Sequence, residues 1–296
     1  MSKTEQTRRP LILDGALGTE LERRGFVARL PLWSAWALIE APDLVKRIHC
    51  DYVRAGAEIL TAATFRTTRY TLAKETLTSW AEELTHLAIR LAREAIGESE
   101  SPPGSATPRV AGCIAPLEDC YEPERAPSDE ILRREHTGTA GLLREAGADL
   151  ILVETQNTAR EAVIATEAAL ATGLPVWVSL MPRSGTGLFG GGLLVEAARA
   201  VHRMGAEVVL VNCAPPAIIA AAFRTLREAL PEARLGAYPN FAHVGGAPWE
   251  FTASSTPGQF VEWTRPILNQ AAVLGGCCGS TPEHIAALSQ ALQSQS

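Results

Sequence analysis

Eight short apolar runs, separated by helical patterns, constrain what this chain can fold into more than any other feature. They lie at Leu11–Asp14, Glu58–Thr64, Arg109–Ile114, Asp149–Glu154, Pro175–Leu180, Glu207–Cys213, Leu235–Asn240 and Ala271–Gly276. Their Val, Ile and Leu content without clean alternation suits strands buried on both faces of a parallel sheet. Between them apolar residues recur every three or four positions, most clearly over Asp43–Ala55, Thr78–Ala95, Asp129–Glu145, Thr158–Thr172 and Pro282–Leu292. Ser128-Asp129-Glu130 and Ser280-Thr281-Pro282-Glu283 read as helix starts. Arg54-Ala55-Gly56-Ala57, Glu145-Ala146-Gly147-Ala148 and Arg203-Met204-Gly205-Ala206 repeat one junction, a glycine ending a helix just before the next strand. Stacked βα units in a chain of 296 residues predict an α/β protein, a single-domain (β/α)8 TIM barrel over residues 11–296 behind a polar tail, residues 1–10. An open doubly wound sheet is the alternative, but it carries fewer strands and a glycine-rich phosphate loop after the first. The glycine-rich stretch Gly185–Gly192 instead follows the fifth run and reads as a flexible loop able to serve as a lid.

The last run closes in Gly275-Gly276-Cys277-Cys278-Gly279. Adjacent cysteines rarely bridge to each other, because trans neighbours have Cα atoms about 3.8 Å apart and a disulfide wants about 4.4–6.8 Å. Such a pair is better aimed at one ion. Cys213 closes the sixth run, so on a barrel all three thiols share the rim at the carboxy-terminal strand ends, where active sites are built. Three thiolates suit a soft, tetrahedral ion with one position open, and zinc is the best candidate. Cys50, Cys113 and Cys120 read as small buried hydrophobes.

Composition removes several classes of function. A net charge of −6 argues against a nucleic-acid or anionic-membrane partner. The polar start lacks the apolar segment of a secretory signal, and no apolar run approaches about 18 residues. Six cysteines in such a chain point to the reducing cytoplasm, and the expected partners are small molecules.

Asp14-Gly15-Ala16-Leu17-Gly18-Thr19-Glu20-Leu21 resembles the opening motif of homocysteine S-methyltransferases. Val153-Glu154-Thr155, Val211-Asn212-Cys213, Tyr238-Pro239-Asn240 and the Gly275–Gly279 segment resemble that family's later motifs, in order and at strand ends. The resemblance implies a zinc-dependent barrel that methylates the sulfur of homocysteine, giving methionine. It also implies that Glu154 binds the substrate ammonium. Asp14, Gly15, Asn212, Tyr238 and Asn240 are the further candidates for substrate contact, with Asp14 and Glu154 the candidate catalytic residues. Two segments depart from the family pattern: Ala63 replaces an asparagine after the second run, and Cys113–Tyr121 replaces a Gly-Pro-Tyr-Gly type loop.

The chemistry agrees with the residue types. A free thiol is mostly protonated at neutral pH, and coordination to zinc displaces its proton. With three thiolates the ion is a weak Lewis acid, which suits sulfur attack on a methyl group better than hydrolysis. The expected donor is a small methyl-onium compound, S-methylmethionine or S-adenosylmethionine, held by aromatic residues such as Phe65, Tyr238 and Trp249. A betaine-like donor or another acceptor thiol is the enzymatic alternative. A structural zinc or thiol-sensor protein is the non-enzymatic one; it requires a fourth ligand, for which Cys113 is the best candidate. Arg66 and Arg69 could bind a carboxylate but read as exposed arginines at a helix start.

Overall fold

The computed structural model describes residues 9–294 apart from 245–250 and 254. Most of the polar tail, and Trp249, lie outside the described residues. Each apolar run contains one strand of a single parallel sheet. The strands are β1 (Leu11–Ile12), β2 (Ile59–Thr61), β3 (Arg109–Ile114), β4 (Leu150–Gln156), β5 (Val176–Leu180), β6 (Val208–Asn212), β7 (Leu235–Tyr238) and, after a short antiparallel pair β8 (Ala242–Val244) and β9 (Phe251–Ala253), β10 (Val273–Leu274). Their order is β1-β10-β7-β6-β5-β4-β3-β2. A parallel bridge from Leu13 to Ile59 joins the ends of that order, with Asp14 N–H donating to the Ile59 carbonyl at 2.9 Å and Glu58 N–H to that of Ile12 at 2.7 Å. The sheet is therefore a closed (β/α)8 barrel rather than an open one.

Burial on both faces explains the unbroken apolar runs. Leu13, Ile59, Leu150, Leu152, Trp177, Val208 and Leu210 fill the inside of the barrel, whereas their neighbours Ile12, Leu60, Ile151, Val209 and Val211 pack outward. The outward residues meet the surrounding helices, among them Pro42–Ala55, Ala81–Glu98, Asp129–Glu145, Ala159–Leu170 and Pro282–Gln293. The repeated junction has its structural cause at Gly56, Gly147 and Gly205, which take φ of 99°, 88° and 116°. A side chain there would be strained, and the left-handed turn reverses the chain from helix to strand. Thr281 opens the last helix, its N–H donating to Nδ1 of His284 at 3.2 Å.

A buried histidine in the helical layer is left wholly unsatisfied. His49 is 1% exposed, neither ring nitrogen has a partner, and burial pushes its imidazole down to about 4. It is a neutral core side chain. No helix among the described residues is long and apolar enough to cross a membrane.

The Gly185–Gly192 stretch is not the free loop expected from its glycines. Phe189 N–H donates to the Met181 carbonyl at 3.0 Å, Gly190 N–H to that of Asn157 at 2.8 Å and Leu188 N–H to that of Gly192 at 3.1 Å. Leu188 is buried. A Cβ at Gly190 would sit 2.7 Å from both Pro123 and Thr158, so this glycine serves close packing instead of movement.

Candidate active site

The carboxy-terminal rim opens into a cavity of about 450 Å³. Cys213 enters it after β6, and Cys277 and Cys278 after β10. Their three sulfur atoms lie within 4.8 Å of one another. Tetrahedral zinc with Zn–S of about 2.3 Å needs sulfurs roughly 3.8 Å apart, so the donor set fits such an ion with little movement. Among the described residues no fourth metal-ligating group joins them, and the remaining side faces the cavity. Cys113 is not that ligand. Its Sγ donates to Oε2 of Glu154 at 3.1 Å.

Local backbone geometry builds this cluster. Gly275 and Gly276 bring the chain against β1: a Cβ on the first would lie 2.7 Å from Leu13 Cβ, and on the second 2.2 Å from Ser280 Oγ. The turn that follows is pinned. Ser280 Oγ donates to the Cys277 carbonyl at 2.7 Å, Phe241 N–H to that of Cys278 at 2.8 Å, and Gly279 N–H to Thr19 Oγ1 at 3.0 Å. Cys213 has φ of 57°, a left-handed conformation costly for a side-chain-bearing residue and common where function holds strain. The neighbouring Cys277 and Cys278 thiols pull Cys213 well below the ordinary thiol range. The Tyr121 hydroxyl lies 3.4 Å from the same sulfur.

Asp14, Gly15, Glu154 and Tyr238 all line the cavity, as expected from the sequence. The strand β4 carries a register irregularity between Val153 and Gln156, with Thr155 at φ 57°, and this bulge turns Glu154 toward the cavity. Burial raises the Glu154 carboxyl to about 7, against the opposing hydrogen bond from Cys113. The Tyr238 hydroxyl is buried near it with no partner of good hydrogen-bond geometry. Asp14 accepts the Thr61 N–H at 2.7 Å and the Thr61 hydroxyl at 2.9 Å. Burial still outweighs both bonds and holds its carboxyl well above the usual range.

Two expected contact residues do not line the cavity. Asn212 is wholly buried behind it, its Oδ1 accepting from Ser179 Oγ at 2.7 Å and its Nδ2 donating to Thr155 Oγ1 at 2.8 Å and toward Cys277 Sγ at 4.0 Å. Its geometry is that of a brace between β4 and the cysteines. Asn240 turns its Oδ1 back to the Ala242 N–H at 2.8 Å and lines a separate cleft with Phe241 and Trp263. Both were legible as strand-end polar residues, but their direction depends on the loops beyond the strands.

Other lining residues carry little signal in the sequence. Trp33 sits in an irregular stretch, and its ring passes so close to Gly18 that a Cβ there would lie 2.2 Å from it. Trp33 and Phe65 meet edge to face at 6.2 Å, and Glu22 lies beside Trp33. Tyr121 comes from the loop after β3, packed edge to face on Phe189 at 5.6 Å. Arg66 is 5% exposed and lines the cavity, whereas Arg69 is exposed.

The family model for homocysteine S-methyltransferase matches residues 11–292. The chain belongs to the homocysteine S-methyltransferase family. It is 32% identical to homocysteine S-methyltransferase of Escherichia coli (strain K12), over 94% of each chain. It is 31% identical to homocysteine S-methyltransferase 3 of Zea mays, over 95% of this chain and 90% of that one. The crystal structure of the homocysteine methyltransferase MmuM from Escherichia coli in its metallated form superposes with a TM-score of 0.81, at 29% identity over 96% of each chain. This homocysteine S-methyltransferase family member is a methyltransferase on a (β/α)8 barrel.

Proposed function

We propose that this enzyme uses zinc, held by Cys213, Cys277 and Cys278, to transfer a methyl group from a small sulfonium donor to the thiol of homocysteine, giving methionine. The donor is S-methylmethionine or S-adenosylmethionine. The carrying observation is the trio of sulfurs within 4.8 Å at a cavity wall, with no fourth ligand beside them among the described residues. When bound, zinc supplies a Lewis-acid position at which a thiol is deprotonated yet remains nucleophilic. That a similar homocysteine methyltransferase of Escherichia coli has a metallated form supports a metal in this enzyme.

The chain's own residues supply position. Glu154, once ionised, accepts hydrogen bonds from the homocysteine ammonium, and the loss of its high pKa is offset by that charge pairing. Asp14, locked on Thr61, and the Gly15 backbone border the same ligand. Asn212 holds Cys277 and Thr155 in register. Tyr238 closes the space next to Glu154. Trp33 and Phe65, which also line the cavity, present aromatic surface to a sulfonium, an attraction worth about 0.5–2 kcal/mol. Methyl transfer forms one S–C bond as another breaks in line, the thiol proton leaves, and the donor departs as a neutral sulfide. Alignment of the two sulfurs and the carbon is the main remaining requirement.

The deciding assay is methionine formation from homocysteine with S-methylmethionine, S-adenosylmethionine, betaine and methyl-folate. Turnover with a sulfonium and none with methyl-folate is expected. Turnover with betaine alone transfers the aromatic wall to a quaternary ammonium donor, and turnover only with methyl-folate ends the onium reading.

A further inference from the structure

Among the described residues four carboxylates line the cavity, Asp14, Glu22, Asp119 and Glu154, against two arginines, Arg29 and Arg66. Arg29 is already occupied. It bonds Glu40, with Nη1 to Oε2 at 3.2 Å, and lies 4.0 Å from the Trp36 ring centre. Arg66 is different. Its Nη1 donates to the carbonyl oxygens of Glu118 at 2.9 Å and Pro116 at 3.3 Å, while its buried Nε has no acceptor. It forms no ion pair among the described residues, although it is 5% exposed. The guanidinium carbon lies over the Phe65 ring, 5.1 Å from its centre.

A charged fork so deeply buried is costly unless an anion completes it. Two carbonyls anchor one nitrogen, the buried Nε still lacks an acceptor, and the residue itself lines the cavity. The planar fork matches a carboxylate better than any point acceptor. We propose that Arg66 is the carboxylate subsite of this active site. The assignment rests on the proposed function, in which acceptor and sulfonium donor are both amino acids and each carries a carboxylate. It goes beyond that reading by requiring a carboxylate on one of them, which a simple thiol or a simple trialkylsulfonium lacks.

The test uses the zinc-loaded full chain and its Arg66→Gln and Arg66→Lys variants. Equilibrium binding is measured calorimetrically for homocysteine, for S-methylmethionine, and for their decarboxylated analogues 3-mercaptopropylamine and 3-aminopropyl-dimethylsulfonium. Arg66→Gln is expected to weaken one carboxylate ligand roughly ten- to a hundredfold while its analogue binds both proteins alike. Arg66→Lys should recover part of the loss, and the ligand affected identifies the source of the carboxylate. Equal weakening of a ligand and its analogue, or no weakening of either ligand, overturns the subsite and leaves Arg66 a clamp on the loop after β3. Binding without turnover in the wild type would instead count against the proposed function, with the Arg66 comparison still readable.

Discussion

At the amino-terminal rim of the barrel, Glu58 is 1% exposed and accepts four hydrogen bonds: from Arg9 Nη1 and Nη2 at 3.0 and 2.6 Å, and from the N–H groups of Ile12 at 3.1 Å and Ala106 at 2.7 Å. Asp149 on the same rim is buried enough to resist ionisation, but Arg93 and the Val110 N–H outweigh that and hold its carboxyl below the usual range. At the carboxy-terminal rim the balance reverses. Asp14 and Glu154 are pushed upward, Thr155 and Cys213 sit in left-handed conformations, and Arg66 Nε and the Tyr238 hydroxyl have no partner. The same fold buries charge at both ends. Satisfied groups make the lower rim a fastening, and unsatisfied ones leave the upper rim prepared to gain energy from a ligand.

The contrast breaks most visibly in a pair of substitutions at opposite rims. Cys278→Ala should remove zinc and methyl transfer together while thermal unfolding of the metal-free chain changes little; metal analysis and a melting curve read both. Glu58→Ala should do the reverse, costing about 2–5 kcal/mol of stability by leaving the Ile12 and Ala106 N–H groups without an acceptor, with activity per folded molecule retained at low temperature. Full zinc content in Cys278→Ala would undo the ligand set. An unchanged melting temperature in Glu58→Ala would undo the fastening.

His49 sharpens the comparison, since it belongs to neither rim. Its imidazole binds a proton only near pH 4 when folded but near 6.5 when unfolded. Stability is therefore intact above about pH 6.5 and declines as the pH falls toward 4, by up to about 3 kcal/mol, because only the unfolded chain takes up the proton in that window. Denaturant titrations of His49→Leu across this range should show that part of the slope missing. The smallest effect is at Glu154. Glu154→Gln should weaken homocysteine binding by about 1.5–3 kcal/mol without altering zinc content. Wild-type binding should strengthen more steeply as pH rises through about 7, where the buried carboxyl ionises, and the variant should keep only the rise that release of the thiol proton at zinc supplies. The same pH dependence in wild type and variant would separate Glu154 from the ammonium.

Much of this molecule is legible in one dimension. The apolar runs state their own burial because both faces of every barrel strand are covered, and Gly56, Gly147 and Gly205 mark the returns because only they take the required φ cheaply. The strand-end motifs bring Asp14, Glu154, Tyr238 and the three cysteines to one rim once the barrel is inferred. Direction and burial were not legible. Asn212 and Asn240 end strands as expected but turn away from the cavity, since neighbours distant in sequence compete for their amides. Gly185–Gly192 looks mobile in composition, yet Met181 and Asn157 hold it by hydrogen bonds that no local pattern announces.

The chain order of strands, glycines and thiols thus determines the barrel and its catalytic end, because those features follow from periodicity and backbone preference. Only the tertiary structure decides that Arg66 is buried and Arg69 is exposed, or that Trp33 reaches the site from an irregular loop. Each outcome depends on which surface from another part of the chain displaces water from the side chain, and spacing along the sequence does not encode that partner.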